Sequence, residues 1–370
     1  MSIAAQAWAP GRVNLIGEHT DYNHGFVLPM AIHLGVKATV TFRDDRLLVV
    51  KSAQLPDVRI AIDLDDLAPG CIDGWAAYVA GAVWALPTSL ASGCEIEIDG
   101  DVPLGAGLSS SAAVECSVLV ALVEALGLSI TAREIARLAK RAENEFVGVP
   151  TGSMDQVASM LGQEDHVILF DTDTDEITPI PFEIRQAGFE LLVVDTRAAH
   201  ALVDGGYADR RATCEQAAAI LGVNSLREVN DTEDALVTLS QQSNDPRVVA
   251  RARHVFSENM RVLATAKALT QRRFEEVGML MVASHESLRD DFEVSCAELD
   301  CAVEVALETG ATGARMTGGG FGGSAIALVP VQQAEIVAAA VTDQFVENGW
   351  LAPRCFSARP SRGAYVLATS

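Results

Sequence analysis

Three segments of this sequence carry residue types and spacings capable of chemistry. The first is Pro103-Leu-Gly-Ala-Gly-Leu-Ser-Ser-Ser-Ala-Ala113. Its glycines let the backbone curl tightly, and the helix start that follows leaves unpaired N–H groups with a partial positive charge. Gly105, Ala106, Gly107 and Leu108 with the hydroxyls of Ser109, Ser110 and Ser111 make a cradle suited to triphosphate oxygens. The plainer alternative is a glycine-rich turn with a serine N-cap. The second segment, Ala9-Pro-Gly-Arg-Val-Asn-Leu-Ile-Gly-Glu-His-Thr-Asp-Tyr-Asn-His-Gly25, packs Arg12, Glu18, His19 and Asp21 between glycines. Carboxylates and an imidazole on a turn suit recognition of several hydroxyls by hydrogen bonds; a solvated polar turn is the alternative. A zinc site of His19 and His24 with Glu18 and Asp21 fits no usual ligand spacing. The third segment is Gly152-Ser-Met-Asp-Gln156, after the helix carrying Glu143. Asp155, in the apolar company of Met154, Val157 and Met160, is either a general base or a helix N-cap.

Two familiar nucleotide motifs are excluded. A Walker A loop ends in Gly-Lys-Ser/Thr, and the serine loop has no lysine. A Rossmann fingerprint needs a third glycine where Ser110 stands. Gly318-Gly-Gly-Phe-Gly-Gly323 matches that bare pattern but precedes a strand instead of opening a helix.

The elements that must position these residues mix strands with helices. Cys94-Glu-Ile-Glu-Ile-Asp99 alternates apolar and acidic side chains, the period of a half-buried strand. Ala112 to Leu126 is a run of helix formers. Thr131-Ala-Arg-Glu134 is a capping box that opens a helix with apolar positions at Ile135, Leu138, Ala139, Ala142 and Phe146. His166 to Phe170 and Leu191 to Val194 read as strands. Between them lies an acidic, proline-containing stretch, Asp171 to Pro181, which is the candidate junction between domains 1–178 and 179–370. Helices are expected over Val248–Leu269, Phe274–Val282, Ala297–Thr309 and Ala334–Val346. Strands are expected over Ser324–Val329, Cys355–Ala358 and Ala364–Ala368. Strands and helices without a regular βαβ period predict an α+β fold.

A chain of 370 residues exceeds one ordinary hydrophobic core, which favours two domains. Acidic residues outnumber basic ones 50 to 27, for a formal charge of −23. Such a surface repels nucleic acid and anionic membranes, so neither is an expected partner. No apolar run reaches the roughly 18 residues of a membrane span. Met1 to Ala9 shows no basic start followed by an apolar core, as an export leader would. Seven cysteines without a CxxC pair argue against a disulfide framework or zinc site. They read as reduced, mostly buried thiols of a cytoplasmic enzyme. No linear feature marks a subunit interface, which tilts the expectation toward a monomer.

Gly11-Arg-Val-Asn-Leu-Ile-Gly-Glu-His-Thr-Asp-Tyr-Asn23, continuing through Gly25-Phe-Val-Leu-Pro29, resembles the signature of the galactokinase family almost residue for residue. The serine loop resembles the second motif of the wider GHMP kinases, and Arg315-Met-Thr-Gly-Gly-Gly-Phe-Gly-Gly323 their third. Gly206 to Glu215 and Ser284 to Asp291 also match galactokinase stretches, so the resemblance covers essentially the whole chain. It implies a two-domain GHMP kinase fold with the active site in the cleft between domains, and ATP and Mg²⁺ acting on D-galactose. By the same resemblance Glu18, His19, Thr20 and Asp21 contact the sugar, with Gly152, Asp155 and Tyr207 completing its pocket. Gly105 to Ser111 hold the ATP phosphates, Ser52 touches ATP, and Ser111 and Glu143 hold Mg²⁺. Asp155 accepts the proton of the C1 hydroxyl, and Arg12 stands beside it. Ser153 replaces a common isoleucine and Ser324 a common cysteine, and neither change removes a catalytic group. The resemblance leaves two alternatives: a GHMP kinase for N-acetylgalactosamine or arabinose, and a silent galactose/ATP sensor. Some sensors have a shortened serine loop, whereas Ser109-Ser-Ser-Ala-Ala113 is full length.

Overall fold

The computed structural model describes residues 3–198 and 203–368. Met1 and Ser2, where the segment read for a leader begins, lie outside them. Strands and helices are mixed, as the sequence predicts. A six-stranded sheet runs in the order Tyr365–Leu367, Ala5–Asn14, Pro29–Phe42, Cys94–Gly100, Leu47–Ser52 and Leu55–Asp63. All its pairings are antiparallel except that of Leu47–Ser52 with Cys94–Gly100. The predicted alternation holds in Cys94–Gly100: Cys94, Ile96 and Ile98 face the core, and the acidic residues face out. Helices Trp75–Trp84, Ser110–Ala125, Ala132–Arg141 and Met154–Leu161 share the apolar core on this sheet. Each fully buried aliphatic side chain there, such as Ile96 or Leu119, contributes about 1.5–3 kcal/mol.

A second, four-stranded antiparallel sheet has the order Gly313–Thr317, Ser324–Pro330, Phe189–Asp195, Arg354–Ala358. Its core is shared by the helices of the second half, among them Val203–Leu221, Pro246–Thr270, Phe274–Asp290 and Ala297–Glu308. The last strand, Tyr365–Leu367, returns to pair with Ala5–Asn14 in the first sheet. A third cluster joins the halves: Val13, Leu15 and Ile16 meet Val193, Ile326 and Leu328. The Gly11–Gly25 segment and the Gly318–Gly323 loop are therefore brought together by apolar packing.

Several elements differ from expectation for identifiable reasons. The acidic stretch after Phe170 contains a strand, Glu176–Pro181, paired with His166–Asp171. Its prolines are tolerated because this strand is the edge of a three-stranded sheet, where a missing N–H breaks no ladder on the open side. The helix opened by Thr131 and Glu134 has its capping box, but its last apolar positions, Ala142 and Phe146, lie in a π-helical turn, Ala142–Val147. Such turns are frequent at functional sites, and this one carries Glu143. Helix Phe274–Asp290 runs a full two turns past Val282. Of the seven cysteines, Cys94, Cys116 and Cys214 are buried, Cys71 is exposed and three are half-buried, so the thiols are less buried than expected.

Candidate active site

One cleft of roughly 1090 Å³ gathers residues from all three segments and from both sheets. Asp155 lies in the first turn of helix Met154–Leu161, whose N-cap is Ser153. Its carboxylate does not cap that helix. Arg12 grips it with both prongs, Nε donating to Oδ1 at 2.7 Å and Nη2 to Oδ2 at 3.0 Å. The remaining Arg12 nitrogen, Nη1, donates to Gly107 O at 2.6 Å. A two-pronged pair of this kind, with its guanidinium buried, fixes direction as well as charge.

The serine loop is held from three sides. Arg12 N donates to Leu108 O at 3.0 Å, and Ser324 Oγ donates to Ala106 O at 2.7 Å. On the third side Gly318 approaches so closely that a Cβ there would stand 2.8 Å from Gly107 O, and its φ of +86° is one that glycine tolerates. Ser109 occupies the N-cap position of helix Ser110–Ala125 but makes no cap, because its hydroxyl donates to Asp155 instead. The first N–H groups of that helix are thus left uncapped beside the cleft, with Ser110 and Ser111 lining it. An anion is the natural partner for such an end.

At the other end of the cleft, Glu18 is buried and surrounded by donors. Asn14 Nδ2 donates at 2.7 Å, Gly318 N at 2.8 Å and Thr317 Oγ1 at 3.1 Å, and the Arg315 guanidinium lies 3.6 Å away. Burial raises its pKa, with Arg315 and Arg12 opposing. His19 Nε2 donates to Gly319 O at 3.2 Å, and Nδ1 accepts from Tyr22 Oη at 2.9 Å. Burial, with His254 and Arg210 nearby, lowers His19 to about 3, so the ring is neutral. The Tyr207 ring packs tilted against His19, centroids 5.5 Å apart, and edge-on to Tyr22 at 5.3 Å. Asp21 faces Gly152, where a Cβ would fall 1.7 Å from its Oδ2. With the Asp21 carboxylate in this position, residue 152 has no room for a side chain.

Thr20 and Ala106 do not line the cleft. The Thr20 hydroxyl is turned inward, 2.8 Å from Gly17 O and 2.7 Å from Phe26 O, where it braces the signature turn. Ser52 lines the cleft, with its hydroxyl donating to Gln54 at 3.0 Å. Glu143 is buried and accepts from Gln156 Nε2 at 2.6 Å and Thr151 Oγ1 at 3.1 Å.

Two groups of residues went unassigned in the sequence reading. Trp75 and Tyr78 line the apolar end of the cleft with Leu55 and Leu104. Their aromatic i, i+3 spacing at a helix start was the available signal. Asn14, Arg315 and Thr317 form the donor set around Glu18. An arginine inside the wholly buried strand Gly313–Thr317 was a signal too, since a buried charge requires a partner.

Burial and then Asp155 raise Asp21 to about 6 and Glu143 to about 7. Both bind protons more readily folded than unfolded, where carboxyls titrate near 4. Their contribution to stability is therefore full below pH ~4 and is lost as pH rises through 6 and 7. The melting temperature of the ligand-free protein should fall between about pH 4 and pH 7, and more gently in Asp21→Asn. Parallel profiles for the two proteins would contradict the placement of Asp21.

The sequence matches three family models: the GHMP kinases N terminal domain over residues 77–163, the galactokinase galactose-binding signature over 4–42, and the GHMP kinases C terminal over 265–347. It is 46% identical to a galactokinase of Streptomyces coelicolor over 96% of this chain and 92% of that one. A Mycobacterium tuberculosis galactokinase is also 46% identical, over 93% and 94% of the two chains. The crystal structure of Lactococcus lactis galactokinase complexed with galactose superimposes with a TM-score of 0.92 at 33% identity, covering 98% of this chain and 95% of that one. A Methanococcus jannaschii mevalonate kinase, 18% identical with a TM-score of 0.67 over 96% and 98% of the two chains, shares the fold alone. The fold and cleft are those of a GHMP kinase, a phosphotransferase with an alcohol group as acceptor. Within that class, the chain belongs to the galactokinase family.

Proposed function

We propose that this cleft transfers the terminal phosphoryl group of ATP to the C1 hydroxyl of D-galactose, giving ADP and galactose 1-phosphate. The observation that carries the reading is the position of Asp155. Its carboxylate is clamped by Arg12 and touched by Ser109, between the uncapped helix end on one side and the Glu18–Asp21–Gly152 wall on the other. Phosphoryl transfer asks for positioning and charge neutralisation more than for covalent chemistry. Asp155 accepts the hydroxyl proton, and Arg12 holds the carboxylate aimed and offsets charge on the transferring group. Glu18, His19, Asp21, Gly152 and Tyr207 receive the sugar, with Thr20 bracing the turn beneath them. Gly105 and Gly107 to Ser111 take the phosphates, with Ala106 set behind them, and Ser52, Trp75 and Tyr78 border the nucleotide. We assign residues 1–178 and 179–370 to N- and C-terminal domains, with the final strand crossing back to the first.

The donor set fits Mg²⁺. Ser111 and Glu143 present hard oxygens to the cleft, and a Mg²⁺ ion shared with phosphates needs only one or two protein ligands. When bound, the ion would neutralise phosphate charge. Ser111→Ala and Glu143→Ala should raise the Mg²⁺ requirement while galactose affinity, measured by calorimetry without nucleotide, stays near wild type. Lost galactose affinity with unchanged Mg²⁺ dependence would refute the assignment.

The reading as a whole is tested by ADP release across galactose, N-acetylgalactosamine, arabinose and glucose. Galactose is expected to support the fastest turnover. Turnover with N-acetylgalactosamine but not galactose would replace the substrate, and binding of galactose and ATP without turnover would make the protein a sensor.

A further inference from the structure

Behind the phosphate end of the cleft lies a carboxyl that the mechanism above does not use. Glu115 sits one helical turn after Ser111 on helix Ser110–Ala125 and is fully buried. Neither of its oxygens has a hydrogen bond of full geometry. Gln156, the residue after Asp155, is also fully buried, and its Oε1 likewise lacks a donor. The two side chains are neighbours, close enough for the Gln156 amide to act on the Glu115 carboxyl.

An ionised carboxylate without donors in a dry interior is among the costliest groups a fold can hold. A carboxylic acid in the same place has one O–H to donate and a carbonyl to accept. Gln156 offers the complement: an orphaned Oε1 and an amide with two N–H groups. One N–H donates to Glu143 Oε2 at 2.6 Å, which leaves the other for Glu115. A ring in which Glu115 O–H donates to Gln156 Oε1, and Gln156 N–H donates back, satisfies all three orphaned atoms together. Burial first, then the Glu143 charge, pushes Glu115 well above the usual carboxyl range, in keeping with the neutral acid.

We propose that Glu115 is a positioning residue: as an acid–amide pair it fixes Gln156, and Gln156 in turn fixes Glu143. The pair also ties together the two helices whose first turns carry Ser111 and Asp155. The role at Glu143 rests on the Mg²⁺ reading given above; the acid–amide pair does not.

Two measurements test it on the full chain. The infrared difference spectrum between wild type and Glu115→Gln at neutral pH should contain the carbonyl band of a protonated carboxyl. Carboxylate bands in its place would overturn the pair. The second measurement is Mn²⁺ binding to the ADP complex, read by electron paramagnetic resonance without turnover. Glu115→Met removes the ring and should weaken Mn²⁺ about tenfold, the scale of a lost outer partner. Its melting temperature should hold or rise, and galactose affinity should not change. Glu115→Gln can rebuild the ring as an amide–amide pair and should bind Mn²⁺ much as wild type does. Gln156→Met, which should also weaken Mn²⁺, serves if Glu115→Met does not fold. Wild-type Mn²⁺ affinity in the folded apolar variant, or equal loss in Glu115→Gln, would overturn the positioning role. Unchanged Mn²⁺ binding in Glu143→Ala would remove that role together with the metal reading, while the infrared band still decides the pair.

Discussion

Asp155→Asn should lower kcat by roughly 10²-fold or more, the scale typical of a general acid–base group. The substitution keeps the shape and one acceptor for Arg12 but removes the proton acceptor and the charge. Melting temperature is expected to move by no more than a few degrees, because two effects oppose each other. Asp155 pushes Asp21 and Glu143 up, so its loss relieves both. The same loss weakens the anchor of a guanidinium that is itself buried. Steady-state kinetics with matched melting curves decide the matter. A folded Asp155→Asn enzyme within a few-fold of wild-type kcat would remove Asp155 from the mechanism. Arg12→Lys tests the other half of the pair: a point charge cannot make both bonds to Asp155 and the third to Gly107 O.

Gly152→Ala should be nearly as damaging, though it adds a single methyl group. That methyl would stand 1.7 Å from Asp21 Oδ2, so the carboxylate or the loop must shift by an ångström or more. Misplacement on that scale in a positioning site costs about 10²-fold. The loss should fall on kcat/KM for galactose, while nucleotide affinity, set at the opposite end of the cleft, stays close to wild type. Equal losses for both substrates would mean that the loop as a whole had collapsed. Restoration by Asp21→Ala of the Gly152→Ala fold, without restored turnover, would locate the clash at that pair.

The three motifs, the capping box at Thr131 and the alternation in Cys94–Gly100 are local signals, because each depends on neighbours within one or two turns. Serine N-cap or phosphate cradle, by contrast, was an open choice for the loop. The direction of the Ser109 hydroxyl depends on Asp155, 46 residues away. The same holds for Asp155 itself, whose carboxylate is taken up by an arginine 143 residues earlier instead of capping its own helix.

By itself the sequence determined the residue inventory: a glycine-punctuated acid cluster, a serine loop without lysine, and a net charge of −23 that disfavours nucleic acid and anionic membranes as partners. It determined the chemistry available at each motif, because side-chain type and local backbone freedom are intrinsic to the chain. Only the tertiary structure decided which groups meet. Glu258, on the long helix of the second half, accepts from Gly17 N at 2.9 Å, and His254 Nε2 donates to Glu18 O at 3.1 Å. Two residues more than 200 positions away thus hold the signature turn in place. Neither has a periodic or motif signature that points to its partner. Their placement follows from helix packing against the joined cores, and packing is a property of the whole fold.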